Sequence, residues 1–334
     1  MPATESGGET SRNPGRFLLD LSVRHSLLIL IAILFAVFSI AEPNTFPTVN
    51  NLRGIALNQS VSALLALAVL IVVVTGEFDL SVGYVLGFAA VLAADLSMSS
   101  KVGLAGVVAL VLTLLAGAAI GLISGTLTAR FRINSLIATL GVGLAVSGLS
   151  VGVSGGQTLS GGMPHTFVDL ARTKILGLES VVWIVLAVAV ALYLVLVKTP
   201  LGRKMYATGG SEGVARMVGI RTRLLKAGAF AAAGAIAALA GVLQLGLSGA
   251  ANPTYGSNLL LTAFAAVFLG STTVRPGYFN VWGTVLAVVL LAIGFSGLSL
   301  MGVAFWVEPV FDGVALIIGV LLSRSETRAV LANK

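Results

Sequence analysis

The chain has 334 residues, of which 57% are hydrophobic and only 10% charged, whereas an average soluble domain carries about 25% charged residues. The formal net charge is +7, and the mean hydropathy is +1.03. This composition excludes water as the main solvent. The absence of cysteine excludes disulfide frameworks, thiolate metal sites and cysteine nucleophiles. We therefore expect an all-α bundle of membrane helices, in which the 40 glycines let backbones approach closely.

The beginning of the chain is polar and contains Gly7, Gly8, Pro14 and Gly15. We expect residues 1–26 to form a cytoplasmic tail. The apolar run after His25 is followed by many more apolar segments, so it is interpreted as a retained first helix rather than a signal peptide.

Ten apolar stretches are candidate spans, because a bilayer requires roughly 20 apolar residues in a helix. The third, eighth and tenth are short or interrupted by glycine. Together they predict a permease domain over residues 27–323 and a cytoplasmic tail over 324–334. The stretches run from Leu27 to Ala41, Ile55 to Val74, Phe78 to Leu96, Val102 to Thr128, Ile133 to Val153, Val181 to Val197, Ala227 to Ser248, Leu259 to Gly270, Phe279 to Leu300 and Pro309 to Leu322.

The distribution of basic residues predicts the orientation of the spans. With ten spans and the amino terminus inside, only Arg53, Lys101, Arg172 and Lys174 of the 20 basic residues fall on the outer side. Both termini are then cytoplasmic, the polar stretch 154–180 is periplasmic, and the basic stretch 198–226 is cytoplasmic. The positive charge is thus explained by topology, and no nucleic-acid partner is expected.

Catalytic signatures are absent from the sequence. There is no Gly-Lys dipeptide, so a phosphate-binding loop is excluded and the chain is not expected to hydrolyse ATP or to be an enzyme. The two histidines, His25 and His165, are too few for a histidine metal site, and we predict no metal and no catalytic residue.

The segment from Gly76 to Gly83 places Glu77 and Asp79 between apolar runs. An acid within a membrane is costly unless it is paired or hydrated, so these residues need a local reason. One interpretation is that Asp79 or Ser81 caps the start of a helix. The other is that they act in gating or touch the substrate.

Three motifs resemble those of the ribose/xylose-type sugar ABC transporter permeases, within the branched-chain amino-acid/sugar permease superfamily. Residues 76–83 resemble its G-G-x-D-L-S-V-G signature, with Glu77 in place of the second glycine. Residues 134–141 resemble P-F-I-A-T-L-G, with Asn134 and Ser135 replacing its lead-in. The strongest match is residues 199–220, which resemble the cytoplasmic loop T-x-x-G-R-x-x-Y-A-I-G-G-N-x-x-A-A-x-x-x-G-I.

The basic stretch also has a physical interpretation of its own. Gly209 and Gly210 permit a turn, and Ser211 can cap a short helix from Glu212 to about Val218 that Gly219 ends. This helix either docks on a partner or lies on anionic lipid. The resemblance implies a coupling helix that docks on an ATPase subunit, formed by Gly209, Gly210, Glu212, Ala215, Met217, Val218, Gly219 and Ile220.

A sugar pathway needs donors and acceptors that replace lost water. The candidates within the apolar stretches are Asn58, Gln59, Asp79, Ser81, Thr139 and Gln244, with Phe78 as an aromatic ring able to stack on a sugar face. Most such polar residues are expected to make helix-to-helix hydrogen bonds instead.

The resemblance implies the membrane subunit of an ATP-driven importer of a monosaccharide or related small polar solute in the bacterial inner membrane. It implies a second permease subunit, identical or homologous, ABC ATPase subunits that bind ATP and Mg, and a periplasmic or lipid-anchored sugar-binding protein. The chain itself would bind no cofactor. The alternatives are an ion-coupled secondary transporter that uses Asp79 and Glu77, and a structural scaffold.

Overall fold

The computed structural model describes residues 25–98, 102–162, 164–304 and 306–332, and side chains as far as residue 322. The predicted tail at 1–26 lies almost wholly outside these residues, and the side chains of the predicted tail at 324–334 lie outside them. The helices are α1 (Ser26–Ala41), α2 (Val49–Val73), α3 (Ser81–Ser97), α4 (Gly106–Ala129), α5 (Ser135–Ser154), α6 (His165–Arg172), α7 (Ser180–Tyr193), α8 (Pro200–Gly210), α9 (Glu212–Met217), α10 (Thr222–Ser248), α11 (Tyr255–Asn258), α12 (Leu260–Gly270), α13 (Val281–Leu300) and α14 (Val307–Ala332).

Other regular structure in the described residues is short. A π-helical segment, Leu194–Lys198, joins α7 to α8. The four strands have two residues each and form two antiparallel pairs, β1 with β4 and β2 with β3. They are β1 (Leu159–Ser160), β2 (Lys174–Ile175), β3 (Leu178–Glu179) and β4 (Ala250–Ala251).

Each predicted apolar stretch overlaps a helix, and the stretch from Val181 to Val197 covers both α7 and the π-helical segment. Six helices of the described residues are long and apolar enough to cross a membrane: Val49–Val73, Gly106–Ala129, Ser135–Ser154, Ser180–Lys198, Thr222–Ser248 and Val281–Leu300. Shorter apolar helices occupy Ser26–Ala41, Ser81–Ser97 and Tyr255–Gly270. The chain is therefore a helical membrane protein, as the composition predicts.

Helix α2 lies at the centre of the bundle. Its residues from Ser60 to Val73 are all buried, as expected of a helix that is apolar on every side. It packs against α7, α10, α12 and α13. The outward faces of α4 and α5 instead expose large apolar side chains such as Leu115 and Ile137, which suit contact with lipid.

Helices α4 and α10 cross closely at their glycines. A Cβ on Gly121 would lie 2.1 Å from the Phe230 carbonyl oxygen, and one on Gly234 would lie 2.1 Å from the Gly117 carbonyl oxygen. Only glycine allows two backbones to meet this closely, and such contacts hold membrane helices together where lipid provides no hydrophobic drive. The crossing fixes α10, the longest helix of the bundle, against α4.

The connecting segments gather at two opposite ends of the bundle. At one end Gly209 contacts Val74, and Tyr206 Oη donates a hydrogen bond of 2.6 Å to the Phe279 carbonyl. At the other end β1 pairs with β4, with Leu159 opposite Ala251. We call the first the basic end, since it contains the arginines and lysines of residues 198–226.

Candidate functional site at the basic end of the bundle

Residues Gly76 to Ser81, here called the signature loop, join α2 to α3 at the basic end. Asp79 in this loop has no exposed surface. Its Oδ1 accepts hydrogen bonds from the Ser81 backbone N–H at 2.8 Å and from Ser81 Oγ at 2.5 Å. The carboxylate thereby satisfies a free backbone N–H at the first residue of α3, as considered from the sequence, although the N-cap position itself is Leu80, which makes no side-chain cap. Its Oδ2 has no hydrogen-bond partner among the described residues.

Helix α5 holds the backbone of the signature loop. The Phe78 N–H donates to Ser135 Oγ at 3.3 Å, and the Leu80 N–H donates to Thr139 Oγ1 at 3.0 Å. Ser81 Oγ also lies 3.2 Å from Ser124 Oγ on α4. The loop is therefore bound on two sides by side-chain hydroxyl groups of neighbouring helices.

The structure brings four of the seven predicted pathway residues together, namely Phe78, Asp79, Ser81 and Thr139. The Phe78 ring is partly buried and lies 6.2 Å from the Phe264 ring. These residues form a buried junction between helices in this conformation.

The other three predicted pathway residues lie elsewhere. Asn58 and Gln59 line a cavity of about 220 Å³ between α2 and α13, together with Asn51, Ser296 and Ser299. Gln244 lies on α10 one turn before its end, where its carbonyl accepts from Ser248 Oγ at 2.8 Å. The sequence could not separate these groups, because the rotation of each helix is set by packing.

Helix α8 corrects one expectation about the basic stretch. Gly209 and Gly210 were expected to form a turn, but they are the last two residues of α8. A Cβ on Gly209 would lie 2.3 Å from the Val74 carbonyl oxygen. Glycine is therefore required at position 209 by the close contact between α8 and the end of α2, and not by a turn.

Helix α9 matches its prediction closely. Ser211 precedes Glu212 as the N-cap, although its Oγ accepts from the Val214 N–H at a long 3.5 Å, and Gly219 adopts a φ of +82° just after the helix. Ala215 is buried, whereas Met217 and Val218 are 80% and 70% exposed. The helix thus presents apolar side chains outward from the basic end, outside the membrane helices.

An ion network ties α9 to the rest of the basic end. Lys226 Nζ lies 2.6 Å from Glu77 Oε1 and 2.7 Å from Glu212 Oε2. Glu212 also pairs with Arg216 and accepts a hydrogen bond of 3.0 Å from Thr222 Oγ1. Partial burial alone would raise the pKa of Glu212, but the hydrogen bond and charge of Lys226, with the bonds from Thr222 and Arg216, lower it to about 2.

Lys226 and Asp312 were not among the residues singled out from the sequence. Both are largely buried, and Asp312 on α14 accepts a hydrogen bond from Thr262 on α12. The available signal was an ionisable residue within or beside an apolar run, which needs a partner. Within the described residues no group of three or more histidine, aspartate or glutamate side chains is arranged to hold a metal ion.

A bundle of apolar helices that are long enough to cross a membrane defines the class of multi-pass membrane proteins. The family described as the permease component of the branched-chain amino acid transport system matches residues 51–321, and the chain belongs to this family. It is therefore a membrane permease of the inner membrane, as the resemblance implied.

Three relatives align over most of the chain. Ribose import permease protein RbsC of Escherichia coli (strain K12) is 33% identical over 305 residues, which are 90% of this chain and 93% of that protein. RbsC of Bacillus subtilis (strain 168) is 32% identical over 299 residues, 88% of this chain and 91% of that protein. L-arabinose ABC transporter permease protein AraH of Azospirillum brasilense is 30% identical over 312 residues, 92% of this chain and 90% of that protein. No solved structure matches the chain.

Proposed function

We propose that this chain is the membrane-spanning subunit of an ATP-driven, binding-protein-dependent importer of a monosaccharide or related small polar solute. Family membership supports the transport role, and the relatives named for ribose and L-arabinose support the substrate class. A periplasmic or lipid-anchored binding protein would deliver the solute, and a second permease subunit would complete the pathway.

The observation that carries this proposal is the exposed apolar surface of α9. Met217 and Val218 lie outside the membrane helices and are mostly exposed, while the buried Ala215 fixes the helix to the basic end. A few apolar anchors of this kind are typical of a docking surface. In the proposed importer the partner is an ATPase subunit that binds ATP and Mg, so this chain performs no hydrolysis.

The proposed topology has ten spans, with the basic end and both termini in the cytoplasm. The positive-inside rule supports this orientation, because the arginines and lysines of residues 198–226 gather at one end. The signature loop lies at the same end as α9. ATP binding by the partner would move α9 and tip the pathway from inward-facing to outward-facing.

The cavity lined by Asn58 and Gln59 suits part of the solute pathway. Amide and hydroxyl groups of Asn51, Asn58, Gln59 and Ser296 can replace the hydrogen bonds that sugar hydroxyls make to water. In the proposed topology this cavity lies toward the periplasmic side, where a solute would arrive. The signature loop lies at the other end of the same route.

One contact argues against the ion-coupled alternative. Glu77 is paired with Lys226, so a cation at Glu77 would have to compete with the Lys226 ammonium group. Asp79 is bound to Ser81 through Oδ1 only, so this argument applies to Glu77 and not to Asp79.

Uptake by reconstituted vesicles tests the proposal. The chain is incorporated into liposomes with its ATPase subunit inside and a sugar-loaded binding protein outside. We expect uptake that requires ATP, and none from a proton or sodium gradient alone. Uptake driven by an ion gradient without the ATPase would overturn the proposal.

A further inference from the structure

Lys226 joins two parts of the basic end that are distant in the sequence. It lies near the start of α10, and its Nζ contacts Glu77 in the signature loop at 2.6 Å and Glu212 at the start of α9 at 2.7 Å. Glu77 and Lys226 are 149 residues apart. We call Glu77, Lys226 and Glu212 the Lys226 bridge.

The two carboxylates of the bridge differ in their dependence on Lys226. Lys226 is only 5% exposed, and a buried ammonium group is costly unless it stays paired. Glu212 has further partners in Arg216 and Thr222. Among the described residues, the Glu77 carboxylate has only Lys226 as a hydrogen-bonding and ionic partner. Lys226 is therefore the ionic contact through which the described part of the signature loop is tied to α9.

The position of Glu77 decides where a force on the bridge would act. The next residues, Phe78 and Leu80, donate their backbone N–H groups to α5, and Asp79 orders the start of α3. A shift of Glu77 therefore acts on the point where α2, α3 and α5 meet. The contact of Gly209 with Val74 and Gly76 reaches only the start of the same loop.

We propose that the Lys226 bridge transmits the movement of docked α9 to the signature loop, and that Glu77 and Lys226 are positioning residues for transport. This inference rests on the proposed function, in which α9 is the docking surface of an ATPase. The G-G-x-D-L-S-V-G motif has glycine at the place of Glu77. Family members with glycine at this position therefore lack one carboxylate of the bridge, and only members with an acidic residue there can form it completely.

Neutralising Glu77 tests the proposal with little change in shape. In Glu77→Gln, α9 keeps its surface, so the ATPase subunit should co-purify in the parent yield and hydrolyse ATP at the parent basal rate. The amount of sugar transported per ATP should fall on the order of 2- to 30-fold, the range typical of residues that couple two sites. Glu77→Gly, which carries no side chain, should behave in the same way.

Two further variants separate coupling from a merely structural role. Lys226→Arg keeps the positive charge and should retain most of the parent transport per ATP. Arg223 is exposed and makes no ion pair with another of the described residues. Arg223→Gln is therefore the matched control for Lys226→Gln, since it removes a nearby basic charge, and it should transport like the parent. Combining Glu77→Gln with Lys226→Gln should cost no more than Lys226→Gln alone, because Lys226→Gln has already removed the contact that Glu77→Gln breaks.

A direct readout of the loop completes the test, because the chain has no cysteine. The thiol introduced by Phe78→Cys should react at a different rate after ATP binds to the assembled complex, and Glu77→Gln should abolish that difference. Parent-like transport per ATP and a parent-like labelling change in Glu77→Gln would overturn this inference alone. Failure of the ATPase to bind the parent chain would overturn the proposed function and this inference with it.

Discussion

Gly209 packs so closely on Val74 that a Cβ at residue 209 would lie 2.3 Å from the Val74 carbonyl oxygen, whereas one on the adjacent Gly210 would have no neighbour within 4 Å. Gly209→Ala should therefore separate α8 from α2 and destabilise the basic end by about 1–3 kcal/mol. Gly210→Ala is the matched control and should behave like the parent. Thermal unfolding in detergent measures both, and equal melting temperatures would contradict the contact.

The exposed residues of α9 give a prediction about assembly. Met217→Glu and Val218→Glu place a charge in the proposed apolar contact and should weaken ATPase docking by about 2 kcal/mol or more. Membrane insertion should be unaffected, because both side chains lie outside the membrane helices. Co-purification and stimulated ATPase activity are the measurements, with Met217→Leu as the apolar control. Normal recovery and stimulation of both glutamate variants would show that another surface docks.

Asp79 has two separable properties, an acceptor oxygen and a charge. Asp79→Ala removes the acceptor for the Ser81 N–H and should cost about 0.5–2 kcal/mol of stability. Asp79→Asn keeps an acceptor, so it should insert and unfold like the parent while transport falls if the charge takes part in gating. Parent-like transport by Asp79→Asn would leave capping as the whole role.

Single cysteines test the orientation, because the native chain has none. Ser211→Cys should react with a membrane-impermeant maleimide only after the cytoplasmic side is opened. Ser160→Cys, on β1 at the opposite end, should react in intact cells. The reverse pattern would invert the topology.

Glu212 gives a prediction about pH. Its folded-state pKa of about 2 lies below the ordinary 4.5, so its ionised form stabilises the fold above pH 4.5, and this contribution is lost as the pH falls from 4.5 toward 2. Glu212→Gln should therefore be less stable than the parent at neutral pH, and the difference should shrink over this acidic range. Melting curves of both proteins against pH measure it, and a constant difference would contradict the role of Lys226.

Much of the fold could be predicted from the sequence, because its signal is local. Apolar runs mark the membrane helices, and Ser211 and Gly219 mark the ends of α9. Helix α8 was missed because its two final glycines also fit a turn. Glycine is needed at position 209 because Gly209 packs against Val74, which is more than a hundred residues away in sequence, so no local pattern reveals it.

The candidate site was predicted less completely, for the same physical reason. Asp79, Ser81 and Thr139 lie together, but Asn58 and Gln59, which were predicted for the same pathway, line a separate cavity. The site residue that the sequence reasoning missed, Lys226, has the ordinary appearance of one more charge in a basic stretch. Only the arrival of Glu77 and Glu212 from two other segments distinguishes it.

Helix α10 makes close contacts at both ends and crosses α4 between them. Near its start it carries Lys226 at the basic end, and near its other end a Cβ on Gly246 would lie 2.1 Å from the Phe167 carbonyl oxygen of α6. The crossing with α4, where Gly234 lies against Gly117, is between these two contacts. A rigid tilt of α10 about this crossing would displace Lys226 and the α6 contact in opposite directions, so this one helix would join the two ends of the bundle mechanically.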